Sequence, residues 1–276
     1  MIEKKYGVIG KPLSHSLSPR LHNFWFKKNN LKASYSLIEI EKNQISDIIN
    51  KIRTKELHGI NVTVPYKKAV LPYLDIIIND AKATSSVNTI YLDGNSKIVG
   101  ENTDVYGFEQ SFINKFEEAN LINKNFLILG AGGAALSLIH AIVKRKIKKI
   151  FISNRSTQET ENIKKKFPFI EIIKWETFSH EASEMDVIIN ATSLGMKNNT
   201  DFKELITKFK SNLVYYDIIY NPLETKMLKN FKENKIKTFN GLEMFLYQGQ
   251  KSFFLWNNIN PDIDEELKKE IITNLK

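Results

Sequence analysis

A glycine-rich hexapeptide, Gly130-Ala131-Gly132-Gly133-Ala134-Ala135, constrains this chain more than any other segment. It follows the apolar run Asn125-Phe126-Leu127-Ile128-Leu129 and opens an apolar-striped stretch from Leu136 to Lys146, so it reads as the turn from a buried strand into a helix. Lys149-Ile150-Phe151-Ile152-Ser153 then closes a β-α-β unit. In that setting G-x-G-x-x-A is a dinucleotide-binding turn. Its glycines permit the tight bend and bring backbone N–H groups at a helix N-terminus close to a pyrophosphate. Without the flanking elements the same glycines describe only a tight turn.

Two further buried-type strands, Asp186-Val187-Ile188-Ile189 and Leu213-Val214-Tyr215-Tyr216-Asp217-Ile218, continue the alternation. Near-continuous apolar strands separated by helices point to a parallel sheet covered on both faces. The class expected is α/β, with a Rossmann-type doubly wound parallel sheet in the second half. The end of the second strand indicates which dinucleotide fits. An acidic residue there would accept from the ribose hydroxyls of NAD, but the position holds Asn154-Arg155-Ser156. A guanidinium suits a 2′-phosphate through paired, charge-assisted hydrogen bonds, so NADP is expected. The bland alternative is a solvent-facing loop arginine.

The first hundred residues also alternate strands and helices, forming an N-terminal α/β domain. Strands are expected at Tyr6–Gly10, Tyr35–Ile38 and Gly59–Thr63, with helices at Ser18–Lys27 and Ile45–Ile52. Asp93-Gly94-Asn95 reads as a hairpin turn between Thr89–Leu92 and Lys97–Val99. Ser18-Pro19 fits an N-cap serine followed by a first-turn proline, which leaves Ser16 without a structural reason. Alternation in Asn61-Val62-Thr63 points Asn61 and Thr63 the same way at the carboxyl end of a strand, where open α/β sheets bind ligands. Lys67 follows after Pro65. Asn88 and Asn102-Thr103-Asp104 add amide, hydroxyl and carboxylate groups, and together these residues suit a hydroxyl-rich ligand. After Phe239-Asn240-Gly241 the tail turns helical through Trp256 and ends in an acidic-then-basic helix, Asp262 to Lys276.

Composition narrows the function classes. With 276 residues, 42% hydrophobic and 26% charged, the chain can bury a substantial core in one large or two modest domains. There is no cysteine, which excludes thiolate metal sites and cysteine nucleophiles. His15, His22, His58, His140 and His180 show no ligand spacing, so no metal is expected and they read as hydrogen-bonded or exposed. The formal charge of +9 comes from scattered lysines with clusters such as Lys144-Arg145-Lys146, Lys148-Lys149 and Lys164-Lys165-Lys166. These fit the solvated C-terminal ends of helices, and nucleic acid is not an expected partner. No apolar run approaches a membrane span, and the N-terminus has no signal-like stretch, so the expectation is a soluble cytoplasmic protein without a membrane partner.

Ser16-Leu17-Ser18-Pro19, Asn61 to Lys67, Val87-Asn88-Thr89, Asn102-Thr103-Asp104, Gly130 to Ala134, Asn190 to Met196 and Gln248 resemble, in order and spacing, the successive motifs of the shikimate dehydrogenase family. Asp217-Ile218-Ile219-Tyr220-Asn221-Pro222 and Gly241-Leu242-Glu243-Met244 fit it too. The resemblance covers essentially the whole chain. It implies reversible NADP-linked interconversion of 3-dehydroshikimate and shikimate, towards chorismate and the aromatic amino acids. It also implies a substrate domain, residues 1–104 completed by C-terminal helices 241–276, and a dinucleotide domain, 105–240, with a cleft between them, in a monomer or homodimer. Carried over by motif, Ser16, Ser18, Thr63, Lys67, Asn88, Asp104 and Gln248 hold substrate. Gly130, Ala131, Gly132, Gly133, Ala134, Asn154, Arg155 and Ser156 hold cofactor, with Ile218 and Gly241 near the nicotinamide.

Ketone reduction needs a hydride on carbon and a proton on oxygen; Lys67, held by Asp104, is the expected proton donor and acceptor. The bland alternative for this pair is a surface ion pair. Two departures from the family pattern stand out. Ser156 replaces a threonine and Glu159 occupies a position where a second cation is usual, which weakens 2′-phosphate binding; Asn79 falls where an acid often lies. Alternative readings are an enzyme acting on quinate or another cyclitol acid with either nicotinamide, and a non-catalytic NADP-binding regulator or basic binding protein on the same fold.

Overall fold

The computed structural model describes residues 3–14, 16–117, 121–147 and 149–275; His15 and Lys148 lie outside the described residues. Two compact units emerge, one formed by Met1–Gly107 with Leu246–Asn274 and the other by Phe108–Phe245 with Leu275–Lys276.

In the first unit β1 (Lys4–Gly10), α1 (Ser18–Lys28), β2 (Ala33–Glu39), α2 (Ile45–Arg53) and β3 (Gly59–Val62) give a parallel trio with β1 in the middle. The central place of β1 explains why its last five residues are all buried rather than alternating. Next come β4 (Ile76–Ile77), α3 (Asn79–Thr84), the hairpin β5 (Thr89–Leu92) and β6 (Ile98–Glu101), and α4 (Thr103–Ser111). The hairpin makes this a mixed sheet of order β2-β1-β3-β5-β6-β4. Helix α2 buries Ile45, Ile48, Ile49 and Ile52, a single face at helical spacing, against Ile9, Ile60 and Ile90 of the sheet.

The second unit is built from β7 (Phe126–Leu129), α5 (Gly133–Lys144), β8 (Ile150–Ser153), α6 (Thr157–Lys166), β9 (Glu171–Ile172), α7 (Phe178–Glu181), β10 (Val187–Asn190), β11 (Val214–Asp217), α8 (Lys226–Glu233) and β12 (Lys237–Phe239). Its strands are all parallel, in the order β12-β11-β10-β7-β8-β9. That is the doubly wound Rossmann order, with the switch point between β7 and β10.

The chain then forms α9 (Leu242–Asn257) and α10 (Glu265–Thr273). Most of α9 belongs to the first unit, where Trp256 lies against β3. A Cβ at Gly59 would come within 2.5 Å of Trp256 Nε1, so only glycine lets the indole lie flat there. Trp25 Nε1 donates to the Asp262 carbonyl at 2.9 Å and ties α1 to the segment before α10.

Two local expectations are corrected. Ser18 is not the N-cap of α1: Leu17 holds that place, Ser18 is the first helical residue, and the Ser18 hydroxyl meets that of Ser16 at 3.2 Å. His22 is neither exposed nor conventionally hydrogen-bonded. Its ring is fully buried, stacked on Tyr35 with centroids 4.4 Å apart, and neither nitrogen has a well-formed hydrogen bond among the described residues. Aromatic stacking holds a neutral ring there without a polar partner.

Burial pushes the His22 pKa down to about 3, with the neighbouring Asn61 side chain opposing only in part. Between the ordinary 6.5 and about 3 the unfolded chain takes up a proton that the folded chain refuses. Stability from this group is therefore complete above the upper value and lost as pH falls through the window. Urea unfolding at a series of pH values is expected to show an acid limb that His22→Phe flattens by up to about 1.4 kcal/mol per pH unit.

Candidate active site

The carboxyl ends of β1 and β3 pass into two loops that touch. The Lys11 N–H donates to the Val64 carbonyl at 3.1 Å, and Thr63 faces Gly10, whose missing Cβ would sit 2.4 Å from Thr63 Cγ2. The first loop carries Ser16, half-buried, whose Oγ accepts from the Ser18 N–H at 3.3 Å. The second closes as a turn in which the Tyr66 N–H donates to the Thr63 carbonyl, and it delivers Lys67.

Lys67 is not part of a surface ion pair. Its Nζ stands 2.5 Å from Asp104 Oδ2, with the two side chains only 14% and 10% exposed. The Lys67 carbonyl accepts from the Val87 N–H, pinning the backbone beside Asn88. Asp104 lies in the first turn of α4, where its N–H donates to Asn102 Oδ1. Its other oxygen, Oδ1, accepts from Asn88 Nδ2 at 2.9 Å. The Asn88 amide has one possible orientation, because its Oδ1 accepts a 2.7 Å bond from the Thr103 backbone N–H, a group that can only donate. Asn88, expected to hold substrate, bonds Thr103 and Asp104 in this structure, so its amide also aims the carboxylate.

Asn61 departs more strongly from its expected exposure to ligand. Its amide donates to the Asn88 carbonyl, Thr89 Oγ1 and Ser252 Oγ and accepts from the Tyr35 hydroxyl, so it is a buried tie between elements. Gln248, half-buried on α9, has its carbonyl bonded by Ser252.

In the second unit the glycine turn lies at the carboxyl end of β7. Gly130, at φ 106°, can carry no side chain: a Cβ there would meet the Ala191 backbone at 2.9 Å. Gly132 differs, with nothing within 4 Å of the place a Cβ would take. It caps α5 with no side-chain bond, so the helix N-terminus presents bare N–H groups beneath open space, as a pyrophosphate requires. Ala131 is buried, while Gly133 and Ala134 are half-buried. At the tip of β8, Asn154 Nδ2 donates to the Ser156 carbonyl, and Arg155 is exposed with no carboxylate partner among the described residues. Glu159 sits half-buried in the first turn of α6. These residues fit a 2′-phosphorylated dinucleotide, with Glu159 the one group of wrong sign. Asn79 instead donates to Glu101 Oε1.

Ile218 and Gly241 meet directly. A Gly241 Cβ would fall 1.9 Å from the Ile218 carbonyl oxygen, so that close approach demands glycine. Beside them Asn190 and Asp217 fix the loops after β10 and β11. Asn190 Oδ1 accepts from the Thr192 N–H and hydroxyl, and its Nδ2 donates to Asp217. Asp217, wholly buried, also accepts from the Ile219 N–H and from the Thr225 and Tyr215 hydroxyls.

Thr89 and Ser252 were absent from the expected site, and Thr103 entered it only as a member of the polar cluster after the hairpin. Thr89 and Thr103 stood inside recognised motifs; Ser252, a buried hydroxyl one turn beyond Gln248, lay outside every motif. Among the described residues no group of three or more acidic, histidine or cysteine side chains is arranged to hold a metal. No helix among them is long and apolar enough to cross a membrane.

Three family profiles match the chain: the shikimate dehydrogenase substrate binding domain at residues 8–90, shikimate/quinate 5-dehydrogenase at 113–243, and the shikimate 5′-dehydrogenase C-terminal domain at 241–265. A shikimate dehydrogenase (NADP(+)) of Pelagibacter ubique is 46% identical over 265 residues, covering 96% of this chain and 97% of that protein. The crystal structure of a shikimate dehydrogenase in complex with NADP+ superposes with a TM-score of 0.89 at 34% identity, covering 99% of this chain and 96% of that one. The Thermus thermophilus enzyme in complex with NADP(H) and shikimate gives 0.85 at 26% identity, covering 99% and 100%.

Burial pushes the Asp217 carboxyl up to about 6, outweighing its four donors. Between 3.8 and about 6 the folded chain holds a proton that the unfolded chain has released, so this contribution to stability is lost as pH rises through the window. A carboxyl-carbon NMR titration is expected to find Asp217 as the late-titrating aspartate, and Asp217→Asn to remove that transition while the fold persists.

Proposed function

Because the chain belongs to the shikimate dehydrogenase family, we propose that it catalyses the reversible, NADP-linked interconversion of 3-dehydroshikimate and shikimate on the route to chorismate and the aromatic amino acids. The observation that carries this reading is the sequestered Lys67–Asp104 pair, aimed by the buried Asn88 amide. Residues 1–104 with 241–276 take the substrate, and 105–240 the dinucleotide, in a cytoplasmic monomer or homodimer.

NADPH, when bound, supplies the hydride that reaches the substrate's carbonyl carbon. The chain's own part is proton transfer and positioning. In reduction Lys67 donates a proton from Nζ to the carbonyl oxygen and stabilises the charge that builds there; in oxidation it takes the proton of the hydroxyl. Asp104, accepting from both Lys67 and Asn88, keeps Nζ in place so that little reorganisation accompanies the step. Ser16, Ser18, Thr63 and Gln248 supply donors and acceptors for the ring hydroxyls and carboxylate. The bare N–H groups at Gly132 take the pyrophosphate, Arg155 the 2′-phosphate, and Ile218 with Gly241 a flat backbone surface for the nicotinamide.

The test is absorbance of the reduced nicotinamide with shikimate or quinate and NADP or NAD in all four pairings. Turnover is expected with shikimate and NADP; signal chiefly with quinate or NAD moves the protein to a neighbouring specificity, and silence in all four sinks the reading. Lys67→Ala is expected to lower kcat about 10³-fold with a far smaller change in KM for shikimate, and near-normal turnover in that variant would remove Lys67 from its role. Arg155→Ala is expected to raise the KM for NADP at least about tenfold and leave that for NAD nearly unchanged, while Glu159→Lys lowers it. Equal effects on both cofactors would detach these residues from the 2′-phosphate.

A further inference from the structure

The dyad of Lys67 and Asp104 is the near end of a buried polar cluster whose far end is a helix hydroxyl. Ser252 is fully buried on α9, one turn beyond Gln248. Its Oγ has four polar neighbours: Asn61 Nδ2 at 3.0 Å, Thr89 Oγ1 at 2.8 Å, Thr103 Oγ1 at 3.1 Å and the Gln248 carbonyl at 3.0 Å. The directions of these bonds follow from the chemistry of the partners. The Gln248 carbonyl can only accept, so it takes the single Ser252 proton; Asn61 Nδ2 can only donate, so it fills one lone pair. The nearer threonine, Thr89, donates to the other. That leaves the Thr103 proton for Asn88 Oδ1 at 3.2 Å, alongside the Thr103 N–H, and both Asn88 Nδ2 protons for Thr103 Oγ1 and Asp104 Oδ1.

We propose that Ser252 is a positioning residue for the proton-transfer pair, acting through Thr89, Thr103 and Asn88 on the direction in which Asp104 holds Lys67. The inference rests on reading that pair as the reactive group. Remove the Ser252 hydroxyl and the Thr89 proton turns to the acceptors that remain, Thr103 Oγ1 at 3.3 Å and, nearer, Asn88 Oδ1 at 3.1 Å. It then competes with the Thr103 N–H for that oxygen and turns the amide away from Asp104. Asn61, Asn88, Thr89, Thr103, Asp104 and Ser252 are all buried, so no water takes up the broken bonds and the disturbance passes along the cluster. A displacement well below 1 Å at Lys67 Nζ is enough to matter for a proton transfer.

The test compares wild type, Ser252→Ala and Ser252→Thr, the first two also in an Asp104→Asn background. Ser252→Ala is expected to lower kcat about tenfold with KM for shikimate within about threefold. Ser252→Thr, which keeps the hydroxyl, is expected to recover most of that loss. In the Asp104→Asn background the alanine substitution is expected to cost nothing further in kcat, because the residue it acts through is already disabled. An unchanged kcat in Ser252→Ala overturns the proposal, as does an equal loss in both backgrounds, the mark of a merely structural role. A rise in KM at constant kcat overturns it too, placing the effect at Gln248. Should wild type fail to turn over shikimate, the proposed function falls separately. The inference is then decided by competitive lysine acylation read by peptide mass spectrometry: faster labelling of Lys67 relative to other lysines in Ser252→Ala supports it, and unchanged labelling overturns it.

Discussion

A buried primary amide has two different ends, and in this protein the direction of one such amide decides what its site can do. Asn88 meets a backbone N–H at Thr103, which can only donate, and therefore turns its own Nδ2 towards Asp104. Were the amide reversed, its carbonyl oxygen would face the carboxylate, two acceptors would be apposed in a dry environment, and Thr103 would lose its acceptor. Leaving a buried group unpaired costs about 1–3 kcal/mol, so the reversed state is effectively unpopulated. The orientation of Asp104, and with it the place of Lys67, follows from a main-chain bond at the start of α4.

The second unit uses the same device. Asn190 accepts from the Thr192 N–H and hydroxyl and so presents Nδ2 to Asp217 and to the Leu194 carbonyl. Asp217 gathers three more donors, one each from β11 itself, the loop after it and the start of α8. In each unit an asparagine amide ties the chain around a buried carboxylate, Asn88 at Asp104 and Asn190 at Asp217. That suits a site which must keep polar groups aimed while remaining open to a polar ligand. Glycine does the complementary work, with Gly130 and Gly241 allowing backbones to touch and Gly132 keeping space clear.

Arg155 and Glu159 show where charge enters. The arginine stands exposed at the tip of β8 with no carboxylate partner among the described residues, and a glutamate follows it in the first turn of α6. A helix N-terminus already favours an anion, so the glutamate and an incoming phosphate seek the same N–H groups. On the proposed assignment of these residues, discrimination between the two nicotinamides is a balance of two opposed side chains on one short segment.

Much of this was legible in the sequence because it is encoded locally. The β-α-β unit around Gly130, the hairpin at Asp93 and the helix with isoleucines at 45, 48, 49 and 52 follow from short-range periodicity and turn chemistry. So did the candidacy of Lys67 and Asp104, carried by their motifs. What sequence alone could not decide were choices made by contacts between distant segments. Asn61 was expected to face ligand, but Tyr35, the Asn88 carbonyl, Thr89 and Ser252, up to 191 residues away, absorb its amide. His22 was expected to find a polar partner or solvent, and instead an aromatic stack assembled from α1, β2 and α9 surrounds it. Ser252 carried no motif at all, and it matters only because α9 lays its hydroxyl between Thr89, Thr103 and Asn61. Local pattern selects which residue types and elements exist; which polar group is left free to act is settled by the pairing of all the others, and that exists only in the folded chain.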